Sequence, residues 1–143
     1  MKSTLARFLL LVGLVLGLAS CASYHSELDR GRSLAKFQRF FVLSNLNDNH
    51  AIDRQIAEQL KARGREADAG PLTMMPDNNQ VIVMFQDRWA WDFGEHLVFL
   101  QIAVRDTHSA QPFASVTFSA KIPLHEEASV TIARVVDQLL DSK

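Results

Sequence analysis

Two carboxylates in one short segment, Asp87 and Asp92, are the residues best suited by type to act as a general acid and a general base. That chemistry requires both groups at the wall of one cleft. Nothing in their spacing places them in a cleft, so the pair alone does not predict catalysis.

The histidines form no recognisable metal-binding pattern. They are His25, His50, His96, His108 and His125. No H-E-x-x-H or H-x-x-x-H sequence occurs, so no two of them share a helix face at the usual spacing. The adjacent Glu95 and His96 could contribute to a metal site, but an exposed pair at a strand edge after Gly94 is the favoured interpretation. We predict no metal site.

Glycine and cysteine usage excludes further chemistries. The four glycines beyond residue 21 are widely spaced, so no phosphate-binding loop is present, and the G-x-S-x-G pattern of hydrolases is absent. Cys21 is the only cysteine, which excludes an intramolecular disulfide and a cysteine-based zinc site. The sequence therefore predicts a protein that is not an enzyme and has no cofactor.

Both tryptophans of the chain lie in the segment Q-D-R-W-A-W-D-F-G, residues 86–94. Trp89 and Trp91 are two positions apart, and so share one side of an extended strand with Asp87. In one interpretation both rings cap the end of the core, with their indole N–H groups bonded to nearby carbonyls. In the other, Trp91, Asp92, Asp87 and Trp89 form an exposed patch that binds a protein, a glycan or a lipid headgroup.

We expect the two tryptophans to differ. Trp89 is closer to the apolar part of the strand and is predicted to be structural. Trp91 precedes Asp92 and the flexible Gly94, and is the better candidate for contact with a partner.

The beginning of the chain is typical of a targeting segment. Lys2 and Arg7 precede an uncharged run over residues 8–18. As a helix this run would span about 16 Å, roughly half of a ~30 Å hydrocarbon core. A secretory signal is therefore favoured over a membrane-spanning helix.

The next four residues, Leu18-Ala19-Ser20-Cys21, resemble the lipobox of bacterial lipoproteins. The resemblance implies that the Cys21 thiol accepts a diacylglyceryl group and that a peptidase cleaves between Ser20 and Cys21. It also implies that the freed amine of Cys21 is acylated, for example with palmitate. More than one acyl chain makes anchoring stable. The alternative is an ordinary secretory signal followed by a chance cysteine.

Three regions follow from these observations: a signal peptide at 1–20, a lipidated polar tether at 21–33 and a domain at 34–143. Ala22, a non-acidic residue after the cysteine, resembles the pattern of lipoproteins sent to the outer membrane. A net charge of −1, from 15 basic and 16 acidic residues, argues against nucleic acid as a partner.

Six elements are predicted in the domain, in the order β-α-β-β-β-α, with a glycine- and proline-containing loop over residues 67–79. The strands are at 37–43, 81–89, 97–105 and 113–121, and the helices at about 51–63 and 126–140. Burying both apolar helix faces requires an α+β fold, a two-layer sandwich in which two helices cover one face of a four-stranded, largely antiparallel sheet. A parallel first pair of strands should be joined through a right-handed crossover.

This arrangement also resembles small envelope lipoproteins of unknown function. The match is carried by residues 51–64, A-I-D-R-Q-I-A-E-Q-L-K-A-R-G, which are similar to the first helix of those domains. Residues 78–80, Asn-Asn-Gln, depart from the Asp-Leu pair with which the family's next strand begins. The resemblance implies a fold and a location, and no catalytic residues.

The sequence thus predicts a lipid-anchored cell-envelope protein on the periplasmic face of the outer membrane, a non-catalytic binding or assembly accessory. Its partners would be the membrane, through Cys21, and an envelope protein. The alternative is an accessory lipoprotein of a transport or lipid-trafficking system that binds an amphiphile between sheet and helices. An apolar pocket long enough for an acyl chain would favour the alternative, and a flat surface carrying Trp91 the first interpretation.

Overall fold

A computed structural model describes residues 22–142, so the predicted signal peptide with Leu18, Ala19 and Ser20, and the lipidation site Cys21, lie outside the described residues. In these described residues, one mixed sheet of six strands carries two α-helices. The strands are β1 (Ala22–Leu28), β2 (Arg39–Leu43), β3 (Glu66–Gly70), β4 (Val81–Trp91), β5 (Glu95–Asp106) and β6 (Pro112–Ala120), and the helices are α1 (Ile52–Ala62) and α2 (Ala128–Asp141). The spatial order of the strands is β1-β6-β5-β4-β2-β3.

Both helices bury the faces that their periodicity indicates. Ile52, Ile56 and Leu60 of α1 are fully buried, as is Ile132 of α2, and all four join one core with the inward residues of the sheet. Residues four apart lie on one side of a helix, so this spacing directs the whole apolar stripe toward the sheet. The α+β class is confirmed, and both helices are confirmed.

The prediction of four strands is wrong, because the sheet has six. The first additional strand, β1, occupies part of the predicted tether at 21–33. It pairs antiparallel with β6 from Ala22 to Leu28. Its sequence, A-S-Y-H-S-E-L, is mostly polar because an edge strand turns most of its side chains to solvent. Tyr24 packs on Phe118, with ring centroids 5.2 Å apart, and holds the strand on the core.

The second additional strand, β3, lies in the predicted loop at 67–79. Its sequence is E-A-D-A-G, in which every residue type is depleted in strands. It forms nevertheless because it extends the other edge of the sheet, paired parallel with β2 from Arg39 and Glu66 onward. Tertiary pairing outweighs propensity here. The only regular structure in the rest of the predicted loop is a short 3₁₀ helix, Leu72–Met74.

The strand directions follow the prediction in part. Phe40 to Val42 pair parallel with Val81 to Val83, a direction that the sequence pattern left open. The chain from β4 to β6 is the predicted antiparallel meander. The sheet as a whole is mixed rather than largely antiparallel, because β3 adds a second parallel pair.

One side chain links the ends of the two helices. Arg63, just after α1, forms an ion pair with Asp137 of α2 and donates a second hydrogen bond to the Ala133 carbonyl at 3.0 Å. The hydrogen bond from Arg63 lowers the pKa of Asp137 from its ordinary value. Helix α2 itself begins at Ala128, two residues later than predicted, and Glu126 pairs instead with Arg134 at 3.3 Å.

The sheet has two distinct ends. At the end where β1 begins, which we call the Ala22 end, β2, β3, β4 and β6 finish, β5 begins and both helices start. At the opposite Leu28 end, β1 and β5 finish and β4 and β6 begin. The turn between β4 and β5, with Trp91 before it, therefore lies at the same end as Ala22.

Substitution of Ile56 or Ile132 by alanine should lower the free energy of unfolding by about 2–5 kcal/mol each, since each leaves a cavity in the centre of the core. The matched control is Val130→Ala, on α2 but 43% exposed, which should change it by less than about 0.5 kcal/mol. Urea denaturation measures all three. Losses below about 1 kcal/mol at both isoleucines would contradict the assigned helix faces.

Candidate functional site

Trp89 is held between strand and helix at the Ala22 end. It is half-buried and packs against the core. Its indole N–H donates to the Asp87 carboxylate at 2.6 Å, two residues earlier on the same side of β4. A carboxylate, rather than the carbonyl expected from the sequence, therefore satisfies this donor.

His50 covers one face of the Trp89 ring. The two rings are stacked with centroids 3.7 Å apart and an angle of 14° between their planes. His50 lies just before α1, and its Nε2 is 2.9 Å from the Glu95 carboxylate at the start of β5. The four side chains, Asp87, Trp89, His50 and Glu95, tie the β2–α1 loop to the β4–β5 hairpin.

Beyond Trp89 the hairpin reaches into solvent. Trp91 pairs with Glu95, so only Asp92, Phe93 and Gly94 form the turn, closed by a hydrogen bond from the Asp92 N–H to the Gly94 carbonyl at 2.9 Å. The Trp91 side chain is 77% exposed and Phe93 is 100% exposed.

Phe93 also has an unfavourable backbone conformation. Its φ is +51°, in the left-handed region that a bulky residue rarely adopts. Glycine or asparagine would fit this turn position with less strain. Neither the turn nor the core of the domain accounts for an aromatic residue here.

Asp92 connects the turn to the segment before α2. Its carboxylate is 3.6 Å from Nε2 of His125, and its carbonyl is 3.0 Å from Nε2 of His96. The His96 and His125 rings meet edge to face with centroids 4.7 Å apart. These contacts hold the segment that follows β6 against the hairpin turn.

The surface beside the hairpin is polar. A shallow groove of about 510 Å³ lies between the β2–α1 loop and β4. It is lined by Asn45, Asn47, Asn49, His50, Gln86, Asp87, Arg88 and Trp89. Within residues 22–142 no three histidine, cysteine or acidic side chains are grouped so as to hold a metal ion.

The structure brings together some of the predicted site residues and separates others. Asp87 and Trp89 are hydrogen-bonded to each other, whereas Trp91 and Asp92 lie at the turn. The two carboxylates therefore serve different contacts and do not face each other as an acid–base pair. That Trp91 binds a partner stays a prediction.

Sequence reasoning missed the contribution of His50. It directly precedes α1, after β2, and a parallel β2–β4 pair places the residues that follow both strands at one end of the sheet. With the strands known to be parallel, this order places the loop of His50 at the same end of the sheet as Trp89, but it does not specify the stacking contact. The Glu95 contact was not predictable, because it depends on the length of the turn.

The two tryptophans should respond differently to truncation. Trp89→Ala removes the His50 stack and leaves Asp87 without its donor, so it should lower the free energy of unfolding by about 2–3 kcal/mol. Trp91→Ala should change it by less than about 0.5 kcal/mol. Chemical denaturation measures both.

Fluorescence of the lipid-free chain gives an independent check on these positions. With Trp89→Phe, the remaining Trp91 should emit at long wavelength and be quenched by acrylamide. With Trp91→Phe, the remaining Trp89 should emit at shorter wavelength and be protected. A protected Trp91 would remove the hairpin turn as a candidate site.

Solved structures share this fold at low sequence identity. Two structures of the PelC dodecamer from Paraburkholderia phytofirmans match with a TM-score of 0.59, at 13% and 14% identity. A DUF4136 family protein from Bacteroides thetaiotaomicron matches with a TM-score of 0.51 at 7% identity. Each match covers 83% of this chain and 94% of the other. No protein-family profile and no curated protein sequence matches the chain. These similarities establish the fold.

Proposed function

We propose that this chain is a lipid-anchored protein of the bacterial cell envelope, a non-catalytic accessory of an envelope assembly on the periplasmic face of the outer membrane. The observation that carries the proposal is the position of the lipobox-like sequence, which ends at Cys21, directly before the first residue of β1. Ala22 after the cysteine fits the outer-membrane sorting pattern.

A chain that begins at Cys21 would keep the whole of β1. Ala22 is already paired with Ala120 of β6, so cleavage before Cys21 would leave this strand pairing intact. In the described part of the chain, no helix is long and apolar enough to cross a membrane.

The contacts of the candidate site support an accessory rather than an enzyme. The Asp87 carboxylate accepts the Trp89 indole N–H, and Glu95 is paired with His50. These groups stabilise the hairpin instead of facing each other across a cleft.

Assembly is supported by the structural neighbours and by the sheet edges. The solved PelC structures are described as dodecamers. Among the strands of residues 22–142, β1 and β3 are the two at the edges of the sheet, and edge strands present unpaired N–H and C=O groups to other chains. We therefore include self-assembly in the proposal, with β1 as the longer available edge.

The amphiphile-binding alternative has less support. The space between sheet and helices is filled by core side chains, including Leu34, Leu100 and Val135, all fully buried. The groove beside Trp89 is open and lined mainly by polar groups. An acyl chain is better accommodated by an enclosed apolar cavity.

Mass spectrometry of the protein from its native membranes should find a mature chain that begins at Cys21 with a diacylglyceryl thioether. Cys21→Ser should leave the signal segment uncleaved and the fold intact, since β1 starts after this position. The matched control, Ser20→Ala, keeps a small residue before the cysteine and should be processed normally. An unmodified Cys21 thiol in the wild-type chain would refute the anchor.

Native mass spectrometry of the detergent-solubilised protein should detect a complex of several copies. The Asp29 N–H donates to the Phe113 carbonyl at 2.8 Å, so by strand alternation the Ser26 N–H points away from β6. Ser26→Pro removes a donor from this free edge and should dissociate the complex, whereas Ser26→Ala should preserve it. A monomer in the wild-type sample would contradict self-assembly.

A further inference from the structure

The first described strand leaves no slack between the lipidation site and the sheet. Ala22 is already paired with Ala120 of β6. Cys21 is its covalent neighbour, so their Cα atoms are about 3.8 Å apart. A lipid on Cys21, as proposed above, would place the Ala22 end of the sheet at the bilayer surface, and the following inference rests on that anchor.

Four of the seven exposed large apolar side chains in the described residues lie at that same end, whereas Leu72 and Met74 lie in the β3–β4 connection and Val130 lies on α2. Leu46 follows β2 and is fully exposed, Trp91 and Phe93 lie at the β4–β5 turn, and Ile122, two residues after β6, is 60% exposed. The contacts of Asp92 with His125 keep the segment containing Ile122 beside the turn. We call these four side chains the apolar rim.

The Leu28 end has the opposite character. Its segments 29–33, 63–65 and 107–111 consist of charged, polar and small residues. None of the large apolar side chains that are strongly exposed in the described part of the chain lies in them. The two ends of the sheet thus differ in their exposed side chains: the Ala22 end carries large apolar ones, and the segments named at the Leu28 end carry polar ones.

We infer that the apolar rim inserts into the boundary between headgroups and acyl chains of the leaflet that holds the Cys21 lipid. Tryptophan favours this interface because its ring is apolar and its N–H can bond to headgroups, and phenylalanine and leucine add buried apolar area. Partition into lipid also offsets the exposure and backbone strain of Phe93, which the domain itself does not compensate.

The strand register gives a suitable depth. Ser119 pairs with Phe99 and Leu97 pairs with Trp89, so Ala120 is level with the start of the Trp89–Trp91 segment. Trp91 lies two residues further out, about 7 Å at the rise of a strand. Cys21 is bonded to Ala22, so its Cα lies about 3.8 Å from the Ala22 Cα. The rim and the thioether therefore reach the interface together.

A second copy of the chain is the other occupant to be tested. It is disfavoured because the rim side chains come from three separate segments at the end of the sheet to which the proposed lipid is attached. A protein docked on them would have to occupy the space between the domain and the membrane to which Cys21 is bound.

Brominated lipids test the inference on the full lipidated protein. Two single-tryptophan variants, Trp89→Phe and Trp91→Phe, are reconstituted in phosphatidylethanolamine–phosphatidylglycerol vesicles that contain lipids brominated near the top of the acyl chain. The emission of Trp91 should be quenched at least about twofold more than that of Trp89, since only Trp91 belongs to the rim. Adding Phe93→Asn to the first variant should reduce the quenching of Trp91, and the thermal midpoint should be unchanged or higher because asparagine tolerates the left-handed conformation.

Mass spectrometry of the same samples separates this inference from the proposed anchor. Lipidated protein with quenched Trp91 supports both. Lipidated protein whose Trp91 is unaffected by brominated lipid overturns the inference and leaves the anchor intact, whether Trp91 is then open to acrylamide or covered by a second copy. Protein without lipid on Cys21 overturns the anchor, and the inference with it.

Discussion

The antiparallel pairing of β1 with β6 determines where the first described residues lie relative to the rest of the sheet and to the β4–β5 hairpin. Because the pairing starts at Ala22, the chain enters the sheet at its first described residue, at the end where the β4–β5 hairpin turns. The contribution of β1 to the core is limited to three partly buried side chains, Ala22, Tyr24 and Leu28. What β1 adds is a fixed place for Ala22, at one edge of the sheet and at the end where the β4–β5 hairpin turns.

At that end the hairpin combines a rigid base with an exposed turn. Trp89 is immobilised by the stack with His50 and by the hydrogen bond to Asp87. Two residues further on, none of these contacts remains for Trp91. An irregularity in the β4–β5 pairing lies between Arg88 and Trp89, and the pairing is regular from Trp89 to Trp91. The packed base of the hairpin therefore fixes the position of the Trp91 backbone, although the Trp91 side chain itself is exposed.

The sequence predicts the helices well and the sheet edges poorly, for a physical reason. Apolar residues at spacing three or four, such as Ile52 and Ile56, indicate an amphipathic helix whose apolar face packs on the core. Edge strands lack such a signal. Most side chains of β1 are polar and face solvent, so it has no apolar pattern. β3 is rich in Ala, Asp and Gly, and these residues form a strand only because they pair with β2. In the candidate site, the two tryptophans were identifiable by type and spacing. Their contacts with His50 and Glu95 depend on how loops from distant parts of the chain meet, which local patterns do not encode.

The short connection at Ala22 also bears on how anchored copies encounter one another. A domain on a long flexible linker samples all orientations, and a collision between two such domains is productive only by chance. Under the proposed anchor, a sheet attached to the leaflet through its first strand would hold its strands roughly perpendicular to the membrane and its β1 edge at a constant height. Copies that meet by lateral diffusion would then share this orientation, which would raise their effective concentration for edge-to-edge contact. A short connection between lipid and sheet would thus favour association without adding any buried area to the contact between copies.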